Sequence, residues 1–152
     1  MEITKADIND IEAILTVQMS AYQREAELHD NFDIPPLKET VADVKEVFKD
    51  TIVLKAVDSG EIVGSVRGKE KDGTCYIGRL AVLPERQKQG IGTALLNAIE
   101  EFFPGCRRME LFTALKSEHN IRLYQKCGYV QFKRGGHDCG VDIEVVYLEK
   151  TK

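Results

Sequence analysis

The hydrophobic positions change their period along the chain, and each change marks a new kind of element. Glu2-Ile3-Thr4 reads as a short strand. Asp7 then offers a side-chain oxygen to cap a helix, in which Ile8, Ile11, Leu15, Met19 and Tyr22 recur at three- and four-residue steps. That pattern fades through Arg24 to Asp30, and Pro35-Pro36 forbids a helix from continuing there, because proline has no N–H to give. Val41, Val44, Val47 and Phe48 mark the apolar side of a second helix. The N-terminal third is therefore helical.

The period then shortens. The β-branched run Thr51–Val57 ends in the turn signal Asp58-Ser59-Gly60, Glu61–Arg67 answers it, and Lys71-Asp72-Gly73 turns the chain again. Thr74–Leu83 is a third strand, halted by Pro84, so these segments predict an antiparallel meander. The strongest helical stripe follows, with Ile91, Leu95, Leu96, Ile99, Phe102 and Phe103 on one side, and Pro104-Gly105 stops it. Met109–Ala114 is a strand again. A strand–helix–strand unit makes its two strands parallel, by the right-handed crossover rule. A short helix at Asn120–Lys126 ends at Gly128, a natural left-handed cap, and Val130–Lys133 pairs with Asp142–Leu148. The order β-α-α-β-β-β-α-β-α-β-β predicts an α+β fold with a mixed, mostly antiparallel central sheet.

Composition narrows the class. The chain has 152 residues with 43% hydrophobic and 30% charged, a balance that excludes disorder and fits one domain spanning 1–152. With 21 Lys+Arg against 25 Asp+Glu the net charge is −4, which argues against a nucleic-acid partner. Apolar runs fall far short of the roughly 20 residues a membrane span needs, and Met1–Lys5 has no signal-peptide character. The expectation is a soluble cytoplasmic protein. Cys75, Cys106, Cys127 and Cys139 form no Cys-x-x-Cys, so free thiols are expected. His137-Asp138-Cys139 could form a metal corner, but its spacing fits no usual site and no metal is expected.

Chemistry gathers at Arg86-Gln87-Lys88-Gln89-Gly90-Ile91-Gly92, between a strand and a helix N-terminus. Two glycines admit a bulky anion to the backbone, and the unpaired first-turn amides carry partial positive charge. The segment reads either as a tight turn or as a diphosphate cradle, with Arg86 and Lys88 adding charge. A dinucleotide fingerprint would need Gly or Ala where Leu95 stands, and a Walker loop would need Gly-Lys-Ser/Thr; neither is present.

Asn120-Ile121-Arg122-Leu123-Tyr124, with Gly128-Tyr129, follows Gly90 at a distance of 30 residues and after a strand. With the strand Ile77–Leu83 and the Gln-x-x-Gly-x-Gly of Gln87, Gly90 and Gly92, the chain resembles the GNAT superfamily of acetyl-CoA-dependent N-acetyltransferases. The resemblance implies that two parallel strands splay, at Arg79–Leu83 and Leu111–Ala114, with helices on both faces of the sheet. The cosubstrate is then acetyl-CoA, its pantetheine arm lying in the gap against Leu80, Ala81 and Val82. Gln87, Lys88, Gln89, Gly90, Ile91, Gly92 and Thr93 would hold the diphosphate. Asn120 would reach the arm, or cap its helix, or both. Tyr124 would protonate the departing thiolate, although without the motif it reads as a packing residue beside Ile121.

An alkyl ammonium, of pKa about 10, must lose a proton before it can attack. Glu25, Glu27, Glu110, His29 and His137 are candidates for that base, and none is assigned. Gly78-Arg79 stands where some relatives carry an acid on the strand, which disfavours a strand-borne base. The acceptor pocket is expected between the first two helices and the loop Gly135–Gly140. Acidic Glu25, Glu27, Asp30 and Asp33 favour a cationic amine, of a small molecule or a peptide. The remaining readings are a coenzyme-binding regulatory module without turnover and a transferase for another acyl group. The resemblance also implies a homodimer, with strand edges near Asp142–Leu148 available to pair.

Overall fold

The computed structural model describes residues 1–136 and 143–152. Seven strands, β1 (Glu2–Lys5), β2 (Ile52–Asp58), β3 (Glu61–Lys71), β4 (Thr74–Val82), β5 (Arg108–Ala114), β6 (Val130–Gly135) and β7 (Val145–Thr151), form one sheet. Their order is β1-β2-β3-β4-β5-β7-β6. The β4–β5 pair is parallel and every other pair is antiparallel, which is the mixed α+β sheet the periodicity predicts. The helices are α1 (Ile11–His29), α2 (Pro35–Lys38), α3 (Val41–Val47), α4 (Ile91–Glu101) and α5 (Glu118–Lys126). Among the described residues no helix is long and apolar enough to cross a membrane.

Alternation along β3 assigns the faces. Gly64 and Gly68 look toward α4, where a Cβ would lie 3.0 Å from Leu95 Cδ1 and 3.0 Å from Ile99 Cγ1 respectively. Glycine at these positions lets α4 lie close against the sheet. Leu54, Leu95, Leu96, Ile99, Met109 and Leu148 are fully excluded from solvent between them. Arg67, of the other parity, reaches Glu39 beyond α2, so α1 and α2 cover the opposite face.

The N-terminal helix differs from its sequence pattern at both ends. Asp7 caps a 3-10 turn, Ile8–Asp10, that feeds into α1, and Ile8 stays exposed. α1 then runs on to His29 through the segment where its stripe fades, because Ala26 is fully buried and Glu25 is tied to α5. Asp30, at φ 50, ends it. Pro35 and Pro36 then open α2, since proline is tolerated in a first helical turn.

The C-terminal strands require a correction. β7 runs Val145–Thr151 and lies between β5 and β6, so the segment expected as a free edge is interior. The sheet's edges are β1 and β6. Asp142 and the His137-Asp138-Cys139 corner lie outside the described residues, as does most of the Gly135–Gly140 loop. Cys75, Cys106 and Cys127 are free thiols. Burial pushes the Cys75 thiol up to about 12, which removes it as a nucleophile at neutral pH.

Candidate active site

The site begins where β4 leaves β5. Their ladder holds Thr74↔Arg108, Cys75↔Met109 and Tyr76↔Glu110, then stops. The cause lies on the other side of β4, in its pairing with β3. Arg67 faces Gly78 and Ser65 faces Ala81, so Arg79 and Leu80 together oppose the single residue Val66. Such a bulge bends its strand and increases its twist. Arg79 takes the left-handed conformation at φ 51, uncommon for a residue with a Cβ.

A partly buried ion-pair cluster holds that bulge. Arg67 grips Glu39 with both guanidinium nitrogens, at 3.2 and 2.8 Å, and Arg79 Nε lies 3.6 Å from the same carboxylate. Gln18 Nε2 donates to Glu39 Oε1 at 3.0 Å and to the Pro36 carbonyl at 3.0 Å. Burial pushes the Glu39 carboxyl upward, but the bonds from Arg67 and Gln18 outweigh it and hold the group below its ordinary value. Arg79 thus supplies no base; it anchors the strand.

Beyond Tyr76 the gap-facing backbone groups of β4 have no strand beside them, so their partners must be found elsewhere. Tyr22 Oη donates to the Leu80 carbonyl at 3.3 Å, and Gln87 Nε2 donates to the Val82 carbonyl at 3.2 Å. Leu83 bonds back to Val63, so Val82, one residue earlier, turns its N–H toward the gap. An extended polyamide would find a donor there.

At the other end, a 3-10 turn (Pro84–Arg86) leads into the loop before α4. Lys88 at φ 64 and Gly90 at φ 85 curl the backbone so that successive amides converge. The first backbone bond is Ala94 N to Gly90 O at 3.0 Å; among the described residues the amides of residues 88–93 meet no acceptor from a neighbouring turn or side chain. At Gly92 a Cβ would lie 3.2 Å from Leu123 Cδ2, so α5 sits directly beside this N-terminus. Arg86, expected to face an anion, is instead committed to Asp58 and to Gln89 Oε1 at 3.2 Å.

One cleft of about 710 Å³ joins the gap to this loop. Leu80, Ala81, Val82, Gln87, Lys88, Gly90, Ile91, Gly92, Thr93 and Asn120 line it, as do Glu25, a candidate base, and the unforeseen Tyr22, Arg24, His119, Arg122 and Lys126. Gln89 and Tyr124 are not on its wall. Gln89 is spent on Arg86. Tyr124 is 6% exposed with its ring 6.3 Å from that of Tyr129. Burial, then the nearby Tyr22 and Glu25, push its phenol far up, so it stays protonated.

Of the candidate bases among the described residues, only Glu25 lies on the cleft. It accepts hydrogen bonds from Ser117 Oγ, from Asn120 Nδ2 at 3.4 Å and from His119 Nε2 at 2.9 Å. Burial raises its carboxyl, but the bonds from His119 and Ser117 prevail and hold it below the usual range. Glu27 is exposed on α1 and off the cleft, and Glu110 is paired with Arg108 at 2.8 Å. His29 Nδ1 bonds the Glu25 carbonyl at 2.7 Å, away from the cleft wall. His137 lies outside the described residues. His119, Arg122 and Lys126 carried a signal that sequence reading passed over: they recur at helical steps of three and four beside Asn120.

Known proteins agree with this architecture. The chain is similar to the UPF0157 protein YqkA of Bacillus subtilis, 28% identical over 116 residues, or 76% of this chain. It spans only 33% of that relative's length. The ribosomal-protein-S18-alanine N-acetyltransferase of Escherichia coli superposes with a TM-score of 0.80 at 14% identity, covering 99% of this chain and 92% of that one. The PaiA N-acetyltransferase of Thermoplasma acidophilum, solved in complex with coenzyme A, superposes with a TM-score of 0.77 at 21% identity, covering 99% and 98%. At such identities the likeness speaks for the fold. Residues 11–129 match the family model described as the acetyltransferase (GNAT) family, and the chain belongs to that family.

Proposed function

We propose that the protein is an N-acetyltransferase that moves acetyl from acetyl-CoA to a primary amine of a small molecule or peptide by direct attack. The observation that carries this reading is one cleft joining an open strand gap to a run of unpaired amides at a helix N-terminus. A gap flanked by free backbone groups suits an extended polyamide arm. A cluster of convergent amides suits a diphosphate. Coenzyme A has both parts.

In this reading the amides of residues 88–93 hold the diphosphate, and Leu80, Ala81 and Val82 lie along the pantetheine arm. Lys88, Arg122 and Lys126, which line the cleft and enter no ion pair among the described residues, add positive charge for the phosphates. Tyr124 serves as donor to the leaving thiolate: burial keeps its phenol protonated, and the raised value favours a hydrogen bond to the developing sulfur charge over outright proton transfer. Glu25, the one carboxylate on the cleft wall among the described residues, favours a cationic acceptor. Bringing amine and thioester together supplies much of the acceleration.

Acetyl-CoA mixed with a panel of alkyl diamines and an alanyl peptide tests this. The expected result is saturable, amine-dependent thiol release with an N-acetylated product. Tight coenzyme binding with no thiol release from any amine would favour a regulatory module instead.

A further inference from the structure

Free amine is scarce at neutral pH: an alkyl ammonium of pKa about 10 leaves roughly one molecule in a thousand unprotonated. Glu25 faces the cleft but is poorly suited to take the proton. Ser117, His119 and Asn120 already occupy its oxygens, and hydrogen-bonded carboxylates bind protons weakly. The hydrogen bond to His119 has a further consequence. A carboxylate can only accept, so His119 Nε2 carries the ring proton at 2.9 Å from Glu25 Oε1. In the neutral imidazole the lone pair then sits on Nδ1, which has no hydrogen-bond partner among the described residues. The side chain is 51% exposed and lies on the cleft wall.

His29 shows the opposite arrangement. Its Nδ1 must donate to the Glu25 carbonyl, and its Nε2 is buried without a partner and off the cleft. Of the two described imidazoles next to Glu25, His119 alone opens on the reaction space.

We propose that His119, held in the Nε2–H form by Glu25, is the base that deprotonates the acceptor ammonium; this rests on the acetyl-transfer reading above. Glu25 is then a positioning residue. Besides Glu25, the charged and titratable groups that line the same cleft are Tyr22 and Arg24 from α1, Arg86 and Lys88 ahead of α4, and Arg122 and Lys126 from its own helix. The ammonium gives one proton to Nδ1, which passes it to solvent. The freed lone pair forms the C–N bond to the thioester carbonyl carbon, and the C–S bond breaks with its electrons going to sulfur. Nitrogen sheds a second proton as the thiolate takes one up. The net products are amide, thiol and one released proton.

His119→Gln and Glu25→Gln test the assignment, with coenzyme A calorimetry, 15N imidazole NMR and pH–rate profiles on two acceptors, a strongly basic alkylamine and weakly basic methoxyamine. His119→Gln should lower kcat/KM for the alkylamine roughly 100-fold while coenzyme affinity stays level. The acid-side limb of the profile should vanish, leaving a rate that follows free amine. Methoxyamine, already unprotonated, should largely escape the defect. Glu25→Gln should cause a smaller loss of the same kind. An equal loss on both acceptors would make His119 structural and overturn the proposal, as would a wild-type ring proton on Nδ1. If the wild type binds coenzyme but acetylates neither amine, the proposal falls together with the acetyl-transfer reading; if amines are acetylated and the variant keeps its profile, only the proposal falls.

Discussion

The two ends of the cleft are built from different materials. The loop end is made of backbone: amides of residues 88–93, curled by Lys88 and Gly90 in the left-handed region and left vacant by the helix start. The bulge end is made of side chains from distant segments, Tyr22 and Glu25 on α1 meeting Ser117, His119 and Asn120 around α5. A backbone site needs only one contiguous stretch with the right φ values. A side-chain site needs a finished fold, and each chain can furnish it differently. The first is suited to a constant coenzyme, the second to a particular acceptor.

Substitutions can separate the two ends. The largest effect is expected at the loop: Gly90→Val, a β-branched residue at φ 85, should weaken coenzyme A binding by roughly 100-fold or more, measured by calorimetry. Retained affinity would mean the loop's curl is irrelevant. Glu39→Ala strikes the support of the bulge, leaving the partly buried Arg67 and Arg79 without their carboxylate. It should cost about 2 kcal/mol in urea unfolding, between the values for exposed and fully buried pairs. Tyr124→Phe should slow turnover by roughly 10- to 100-fold with coenzyme affinity unchanged, which keeps the defect at the acyl end. Changing both Arg122 and Lys126 to Ala should weaken coenzyme A about tenfold at low ionic strength and less at high, as screening predicts.

Acid should reach both ends of the cleft, since Asp58, paired with Arg86 at the loop, also has its carboxyl held below the ordinary value. Glu25 and Glu39 both have depressed carboxyl values in the fold. Their contribution is present above the unfolded value, about 4.3, and is lost as pH falls through the lower folded values. Unfolding curves collected from about pH 6 to pH 3 should therefore show a smaller acid loss in Glu25→Gln than in the wild type.

The same contrast explains what the sequence made legible. The strand and helix order, the parallel pair and the loop before α4 follow from periodicity and from glycines within short windows. The helix end at His29 escaped because α1's last turns are stabilised by Ala26 burial and the Glu25–Ser117 bond, neither of which leaves a local apolar period. The interior place of β7 escaped because strand order is a tertiary fact. Tyr22 looked like one more residue of an apolar stripe, yet its hydroxyl caps Leu80 across 58 positions of chain. Arg79 looked like a missing acid; its role appears only with Glu39, which local pattern does not connect to it.

The claim on which the account rests is that the amides ahead of α4 are donors awaiting a diphosphate. Backbone 15N–1H spectra recorded during a coenzyme A titration test it most directly. The account predicts saturable shifts that are largest for Gly90, Ile91, Gly92 and Thr93, with the amide protons moving downfield as they gain an anionic acceptor. Coenzyme binding that leaves those resonances in place, or no binding at all, would contradict it.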